Sequence, residues 1–285
     1  IALCTLPALI LTIVFMIVPM VNAIYLSFTS STALSVGFNS KFVFLDNYRY
    51  MFQDKDFLQA LFNTLKLMLV IPAVTIFLSL VFAFILTQGQ LKEKSFYRTV
   101  FFFTSIVAMT VVGIVWSFVF NPTRGILNHI LDLFHLSTWK HAWLGEGKTA
   151  LWCIGAALVW QAIGYYMVMY MSSMSSIPEN LYEAASLEGA SKVRQFFMIT
   201  LPLIWDNIRT TLTFFVISTI NLSFMFVQLT SEGNLGSEVA LNYMYNNAFA
   251  GKYGFGMAVG VCIFVFSFAL LAIINKITER DVLQY

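Results

Sequence analysis

Charged side chains are scarce in this sequence of 285 residues. Asp, Glu, Lys and Arg make up 11% of it, whereas an ordinary soluble domain carries about 25%. Hydrophobic residues make up 59%, and the mean hydropathy is +0.79. A soluble fold of this length needs a polar exterior that so few charges cannot supply. The composition therefore excludes a water-soluble globular protein and indicates a chain solvated by lipid.

The sequence also has few cysteines, few histidines and little net charge. The three cysteines, Cys4, Cys153 and Cys262, are far apart and form no CxxC pair, so neither a disulfide framework nor a zinc site is expected. The three histidines match no common ligand spacing, and we predict no metal site. A net charge of +2 without a basic stripe excludes nucleic acid as an expected partner.

A nucleotide-binding motif is missing as well. Gly147, Lys148 and Thr149 resemble the end of a phosphate-binding loop, but Ala142 stands where GxxxxGK[ST] requires its first glycine. We therefore expect that the chain is not an enzyme and does not hydrolyse ATP by itself. No catalytic residue and no cofactor are assigned to it.

Long apolar runs are what the sequence has in abundance. A hydrocarbon core of about 30 Å takes roughly 20 helical residues to cross. Six runs reach that length: Ala2–Thr29, Leu58–Thr87, Thr99–Phe120, Ala150–Met171, Thr210–Thr230 and Phe255–Asn275. Because lipid offers no hydrogen-bond partners, each run must satisfy its own backbone, which favours helices. We predict an all-α integral membrane protein with six transmembrane helices, the first run being a retained span, and with both termini on one side.

A shorter amphipathic segment lies between the third and fourth runs. Its apolar residues follow helical spacing, and its polar residues take the other face. The apolar positions are Leu127, Ile130, Leu131 and Phe134, and the polar ones are Asn128, His129, Asp132 and His135. The pattern predicts an interfacial helix with a wetted polar face.

No Asp, Glu or His lies inside the six runs. Proton relays need such titratable groups, although sodium sites built from backbone carbonyls are not excluded. The one interior charge, Lys66, is expected to snorkel to the nearer interface. A cargo path must then be lined by neutral polar and aromatic side chains, which suits a carbohydrate. The candidates are Trp160, Gln161, Tyr165, Tyr166 and Tyr170 in the fourth run, and Asn221, Ser223, Phe224 and Gln228 in the fifth. Membrane-interface anchoring and helix-to-helix hydrogen bonds are alternative roles for these side chains.

The polar segment Ser172–Arg209 contains a predicted short helix. Pro178 suits the start of a helix, and Gly189 suits the left-handed residue that follows its end. A small apolar patch lies between them, formed by Leu181, Ala184, Ala185 and Leu187. Such a helix can fit closely into a groove of another protein.

The same segment carries a family resemblance. Glu183–Ala190 read EAASLEGA, and this sequence resembles the EAA loop of ABC importer permeases. The resemblance covers nearly the whole chain and points to the sugar-permease branch. Further matching segments are FVFLDNYRYMF at Phe42–Phe52, WLG at Trp143–Gly145 and LNYMYNNAF at Leu241–Phe249. Two departures are Thr104, where many members have proline, and Glu232–Gly236, which lack the usual Gly-Gly-Pro.

The resemblance implies a type I ABC importer permease with a cytoplasmic coupling helix. One domain would cover residues 1–285, with a core at about 58–276 and the coupling loop at 172–209. In that family the coupling helix docks on the ATP-binding subunit. The residues that match the docking motif are Glu183, Ala184, Ala185, Leu187, Glu188, Gly189 and Ala190.

The implied function is import of sugars, di- or oligosaccharides, across the cell membrane. Expected partners are a second homologous permease, two ATP-binding subunits that hold ATP and Mg²⁺, an extracytoplasmic sugar-binding protein and the lipid bilayer. Both termini would be cytoplasmic. Lys and Arg counts of eight against seven on the two sides do not decide the orientation, so it depends on the resemblance. The alternatives are a glycerol-phosphate ABC permease, a secondary transporter acting alone and a membrane scaffold without transport activity.

Overall fold

The computed structural model describes residues 2–32, 35, 40–89, 92–230 and 236–279. These residues are largely helical, and they contain no β-strand beyond one isolated bridge between Thr29 and Phe42. The predicted all-α fold is confirmed. Glu232–Gly236, one of the two departures from the family pattern, lies outside the described residues apart from Gly236.

Fourteen α-helices are present in the described part of the chain. They are α1 (Ala2–Thr12), α2 (Val18–Ser27), α3 (Asp46–Gln53), α4 (Lys55–Gln88), α5 (Lys94–Ile106), α6 (Met109–Val119), α7 (Ile126–Leu133), α8 (Gly147–Ser175), α9 (Glu179–Leu187), α10 (Lys192–Gln195), α11 (Leu201–Leu203), α12 (Trp205–Thr230), α13 (Ala240–Phe249) and α14 (Tyr253–Thr278). A π-helical turn joins α1 to α2, and another lies between α10 and α11. A 3-10 turn occupies Ser137–Trp139.

Among the residues that the structure describes, five helical stretches are long and apolar enough to cross a membrane. They are Thr5–Ser27, α4, the Thr149–Ser175 part of α8, α12 and α14. A sixth span is reached if α5 and α6 count as one. Their positions match the predicted runs.

The chain divides into two compact units. The first consists of residues 1–63 and 238–269, and the second of residues 64–237 and 270–285. In the first unit the Asn63 amide donates to the Glu238 carbonyl over 3.0 Å. In the second unit α8 packs against α5 and α12, and α12 packs against α6.

The third predicted span is broken. Helices α5 and α6 meet at 99°, with Val107 and Ala108 in extended conformation between them. An extended residue in apolar surroundings leaves its carbonyl without a helical partner, and here the Gln161 side chain donates to the Val107 carbonyl over 3.3 Å. A continuous apolar run gives no sign of such a break. Thr104, in the last turn of α5, donates to the Phe101 carbonyl over 2.8 Å or the Trp160 carbonyl over 3.2 Å.

The interfacial helix is present as α7, but its polar face is not wholly wetted. Asn128 is buried, and its amide donates to the carbonyls of Pro122 and His141 over 2.9 and 3.1 Å. The same side chain accepts from Trp143 Nε1 over 2.7 Å. Asn128 therefore holds the loop between α6 and α8 together, and the expectation that water surrounds this residue is wrong.

Candidate functional site

The segment 172–209, which the sequence predicts to be the coupling loop, carries the first group of candidate residues, centred on α9. The helix follows Pro178 and ends at Leu187, as the sequence predicts. The backbone of Gly189 has a left-handed conformation, with φ +76°. The Ala190 N–H donates to the Ala185 carbonyl over 2.9 Å, and the Gly189 N–H donates to the Ser186 carbonyl over 3.0 Å. These two bonds form a Schellman motif, which ends a helix at a left-handed residue without help from other elements.

One face of α9 is uncovered in this chain. Leu187 is 91% exposed, and Glu183 and Ala184, one turn before it, are exposed as well. Glu188 and Gly189 continue the exposed surface. We call these five residues the coupling face. Ala185 and Ala190 are half-buried beneath it.

The base of α9 is anchored by Gln195, which is buried at 6% exposure. Its Nε2 donates to Ser186 Oγ over 2.9 Å and to the carbonyl of Ala190 over 3.1 Å. Beside it, the hydroxyls of Tyr182 and Thr200 are hydrogen-bonded at 2.9 Å. Lys192 Nζ donates to the carbonyl of Gln88, at the end of α4. Gln195 was not singled out from the sequence, because a glutamine beside a phenylalanine pair gives no sign that it is buried.

Replacing Gln195 with methionine is expected to loosen α9 without preventing insertion. The change leaves the Ala190 carbonyl and Ser186 hydroxyl without their donor, a loss of about 1–3 kcal/mol. Limited proteolysis of the detergent-solubilised subunit should cut the 176–200 segment faster than in the wild type. Arg194→Met, a matched change at an exposed neighbour, should leave the cutting rate unchanged. Equal rates in Gln195→Met and wild type would refute the anchoring role.

A pocket of about 390 Å³ carries the second group of candidates. Helices α8 and α12 form its walls, and the end of α5 contributes one residue. The lining residues are Ser105, Gln161, Ala162, Tyr165, Tyr166, Phe215, Ser218, Asn221 and Leu222. None of these side chains is charged. We call this the neutral pocket.

Ring contacts and the hydroxyl group of Ser105 hold the aromatic side of the neutral pocket in place. The ring of Tyr166 packs on Phe215 at 4.6 Å between centroids, and the ring of Tyr165 meets Tyr166 edge-on at 5.2 Å. Ser105 Oγ accepts from the Tyr165 N–H and donates to the Gln161 carbonyl, both over 2.9 Å. In a regular helix these two backbone groups pair with each other, so Ser105 attaches the end of α5 to the pocket wall.

Four of the nine predicted path residues lie in the neutral pocket: Gln161, Tyr165, Tyr166 and Asn221. Five lie elsewhere: Trp160, Tyr170, Ser223, Phe224 and Gln228. The Trp160 ring instead meets Trp116 edge-on at 5.7 Å and borders an apolar groove between α4, α5 and α8.

Two of these five have structural roles in the helix core. The fully buried Tyr170 hydroxyl is hydrogen-bonded to Thr211 at 2.7 Å. Ser223 Oγ donates to the Ile220 carbonyl of its own helix. Phe224 and Gln228 are half-buried further along α12.

Ser105, Phe215 and Ser218 are pocket residues that the sequence did not single out. Phe215, Ser218 and Leu222 share one face of α12 at intervals of three and four residues, so helical spacing from Asn221 could have found them. Ser105 could not have been found in this way, because it lies on α5 and reaches the pocket through the packing of α5 against α8.

Comparisons with known proteins agree with this architecture. Residues 1–284 match the family described as binding-protein-dependent transport system inner membrane component. The diacetylchitobiose uptake system permease protein NgcF of Streptomyces coelicolor is 32% identical over 93% of this chain and 79% of that protein. The probable ABC transporter permease protein YurN of Bacillus subtilis is 32% identical over 93% of this chain and 90% of its own length.

Two further proteins are similar to this chain, one in sequence and one in fold. The sn-glycerol-3-phosphate transport system permease protein UgpA of Escherichia coli is 33% identical over 86% of this chain and 82% of that protein. A chain of a bacterial ABC transporter involved in the import of the acidic polysaccharide alginate has the same fold, with a TM-score of 0.83 at 20% identity over 97% of this chain and 93% of that one. With its apolar helices and its match along almost the full length, this chain belongs to the family of binding-protein-dependent transport system inner membrane components, the multi-pass permeases of ABC importers.

Proposed function

We propose that this chain is one of two related permeases in an ATP-driven sugar importer, with two ATP-binding subunits attached at the coupling face. The observation that carries the proposal is Leu187, 91% exposed on a helix that is otherwise anchored to its loop. Single exposed leucines are common on protein surfaces, and the support here comes from the position of Leu187 within the EAASLEGA segment, which resembles the docking helix of ABC importer permeases. ATP and Mg²⁺ would reside in the attached subunits, and their closure would move α9 and change the access of the neutral pocket.

The proposed orientation places α9 and both termini in the cytoplasm. It is supported by the even number of spans, six when α5 and α6 count as one, and by the family resemblance of the EAASLEGA segment. The Glu188→Cys variant tests it when Cys4, Cys153 and Cys262 are replaced with serine and the ATP-binding subunits are not co-expressed, because Glu188 is exposed in the chain by itself. A membrane-impermeant maleimide should label this variant in inside-out vesicles and not in intact cells. Labelling from the outside would reverse the orientation.

The proposed cargo is a neutral di- or oligosaccharide. The two tyrosine rings of the pocket can pack against the apolar face of a sugar. The amides of Gln161 and Asn221 and the hydroxyl of Ser218 can form hydrogen bonds with its hydroxyl groups. NgcF is named for diacetylchitobiose, which makes this disaccharide the first probe. UgpA is named for glycerol phosphate, the second candidate cargo. A phosphate is commonly bound by arginine, and the neutral pocket is lined by no cation.

Uptake into proteoliposomes tests the proposed function. The importer is reconstituted with its partner permease, ATP-binding subunits and binding protein, and supplied with labelled N,N′-diacetylchitobiose, maltose or glycerol 3-phosphate. ATP-dependent uptake of a disaccharide is expected. Uptake of glycerol 3-phosphate alone would assign the second candidate, and uptake by this chain without its partners would overturn the proposal.

Replacing Asn221 with leucine is expected to lower disaccharide uptake about tenfold. The change removes an amide from the neutral pocket, and the loss of one polar contact with a bound hydroxyl is roughly 1–1.5 kcal/mol. Met225→Leu serves as the control, since this exposed residue of α12 does not line the pocket. Equal uptake by Asn221→Leu and wild type, at equal membrane levels, would remove Asn221 from the path.

A further inference from the structure

A second polar cavity, of about 570 Å³, lies wholly within the first unit. It is formed by the segment after α2, by α3 and the residue that follows it, by α13 and by the start of α14. The lining residues are Ser30, Ser31, Thr32, Asn47, Tyr50, Gln53, Asp54, Tyr243, Asn247, Lys252 and Phe255. We call this the polar cleft. Its volume falls in the range of about 300–1,000 Å³ that is usual for small-molecule sites.

The walls of the polar cleft are held in place by side-chain and backbone bonds. Asn47 Nδ2 donates to the carbonyls of Ser27 and Thr29, over 2.8 and 2.9 Å. The Gly254 N–H donates to the Ser31 carbonyl over 2.9 Å, and a Cβ on Gly254 would lie 2.0 Å from the Thr29 carbonyl oxygen. The cleft is therefore present before any ligand arrives, which lowers the cost of binding.

One carboxylate and one ammonium group line the polar cleft. The Tyr243 hydroxyl donates to Asp54 Oδ2 over 2.6 Å, and this bond, with the backbone N–H groups of Asp56 and Phe57, lowers the pKa of the Asp54 carboxyl below its usual value despite partial burial. Asp54 is thus anionic at neutral pH and can still accept hydrogen bonds. Lys252 carries the opposite charge. The side chains of Gln53 and Lys252 make no hydrogen bond to another residue in the described ranges, so their polar groups are available to a ligand.

Aromatic rings complete the lining. Tyr243 and Phe255 have ring centroids 6.3 Å apart, and Tyr50 is largely exposed on α3. A pyranose ring has hydroxyl groups around its edge and an apolar C–H face. The carboxylate, the amides and the ammonium group of the cleft can form hydrogen bonds with the hydroxyl groups of the sugar. The aromatic rings can pack against its apolar face. The charges of Asp54 and Lys252 sum to zero, so the lining has no net charge that would draw an anion or a cation, and both groups can hydrogen-bond to the hydroxyls of a neutral ligand.

We propose that the polar cleft is a second saccharide subsite, which receives one or two neutral sugar units of the cargo. The inference rests on the proposed function. The segments that form the cleft lie before α4 and before α14, and in a six-span topology both connections are on the side opposite the coupling loop. In the proposed direction of import, cargo arrives on that side.

Equilibrium binding to the whole importer tests the subsite. The importer is placed in lipid nanodiscs without its binding protein, and binding of tritiated N,N′-diacetylchitobiose and maltose is measured. The double variant Gln53→Leu/Lys252→Met should bind at least one of the two disaccharides about fivefold or more weakly. Lys55→Met is the matched control, since this exposed lysine at the start of α4 does not line the cleft. Unchanged affinity for both disaccharides in the double variant would overturn the proposal.

A second measurement separates sugar binding from protein docking. The affinity of the sugar-free binding protein for the nanodiscs should be the same in wild type and double variant. Weaker docking with unchanged disaccharide binding would make the cleft a protein contact and overturn the subsite. If the wild-type importer shows ATP-dependent disaccharide uptake while the double variant binds normally, only this inference fails. If the wild type shows no such uptake, the proposed function fails.

Discussion

Replacing Leu187 with aspartate is expected to lower ATP-driven uptake at least tenfold while leaving the subunit inserted and folded. The side chain is 91% exposed in the chain by itself, so the substitution removes almost no internal contact. In the proposed importer the same position is buried against an ATP-binding subunit, where a central apolar contact is commonly worth about 2 kcal/mol or more. An unpaired carboxylate at that place adds a desolvation cost.

Uptake and co-purification of the ATP-binding subunits measure this effect together. Val193→Asp is the control, because it adds the same carboxylate at another exposed apolar residue of the loop, outside the coupling face. The uptake rate and the amount of co-purified ATP-binding subunit should both fall in Leu187→Asp and stay unchanged in Val193→Asp. A normal uptake rate in Leu187→Asp would show that this face makes no contact of consequence.

Replacing Gly164 with alanine is expected to destabilise the protein by about 3 kcal/mol or more. A Cβ at Gly164 would lie 1.9 Å from the carbonyl oxygen of Phe101, which is backbone and cannot rotate away. Helices α5 and α8 would have to separate, and overpacking of this kind costs about 1–3 kcal/mol or more. Small residues are what allow membrane helices to approach so closely.

Gly155→Ala on the same helix is the matched control. A Cβ there meets its nearest neighbours, in Ile71 and Leu67, at 3.8 Å, an ordinary contact. Alanine is also a better helix former than glycine by up to about 1 kcal/mol. The midpoint of thermal unfolding in detergent should fall by roughly 6–12 °C for Gly164→Ala and stay level or rise slightly for Gly155→Ala. Equal midpoints for the two variants would contradict the close crossing.

The sequence predicts best where the structure follows from local backbone rules. Pro178 and Gly189 bounded α9 because proline favours the start of a helix and glycine tolerates a positive φ after its end. The apolar runs marked the spans because length and hydropathy are properties of the chain alone. The 99° break between α5 and α6 could not be predicted, since Gln161, the side chain that donates to the freed Val107 carbonyl, lies on another helix.

The candidate path was harder to predict because a polar residue in a span does not show which way it points. Tyr165 and Tyr170 are separated by five residues of α8, yet one lines the neutral pocket and the other is buried against Thr211. On α12, Asn221 lines the pocket, whereas Ser223, two residues later, is turned away from it. Which helix face meets the cavity is decided by packing between helices, and one sequence does not reveal that packing.

The way α9 ends has a consequence for assembly. Its two closing bonds, to Ser186 and Ala185, come from the loop itself, so the segment keeps its shape without a partner. Ordering a residue during association costs about 1–2 kcal/mol of backbone entropy, and a pre-shaped segment avoids that cost. Displacement of this segment can then be transmitted as rigid motion instead of being absorbed by local unwinding.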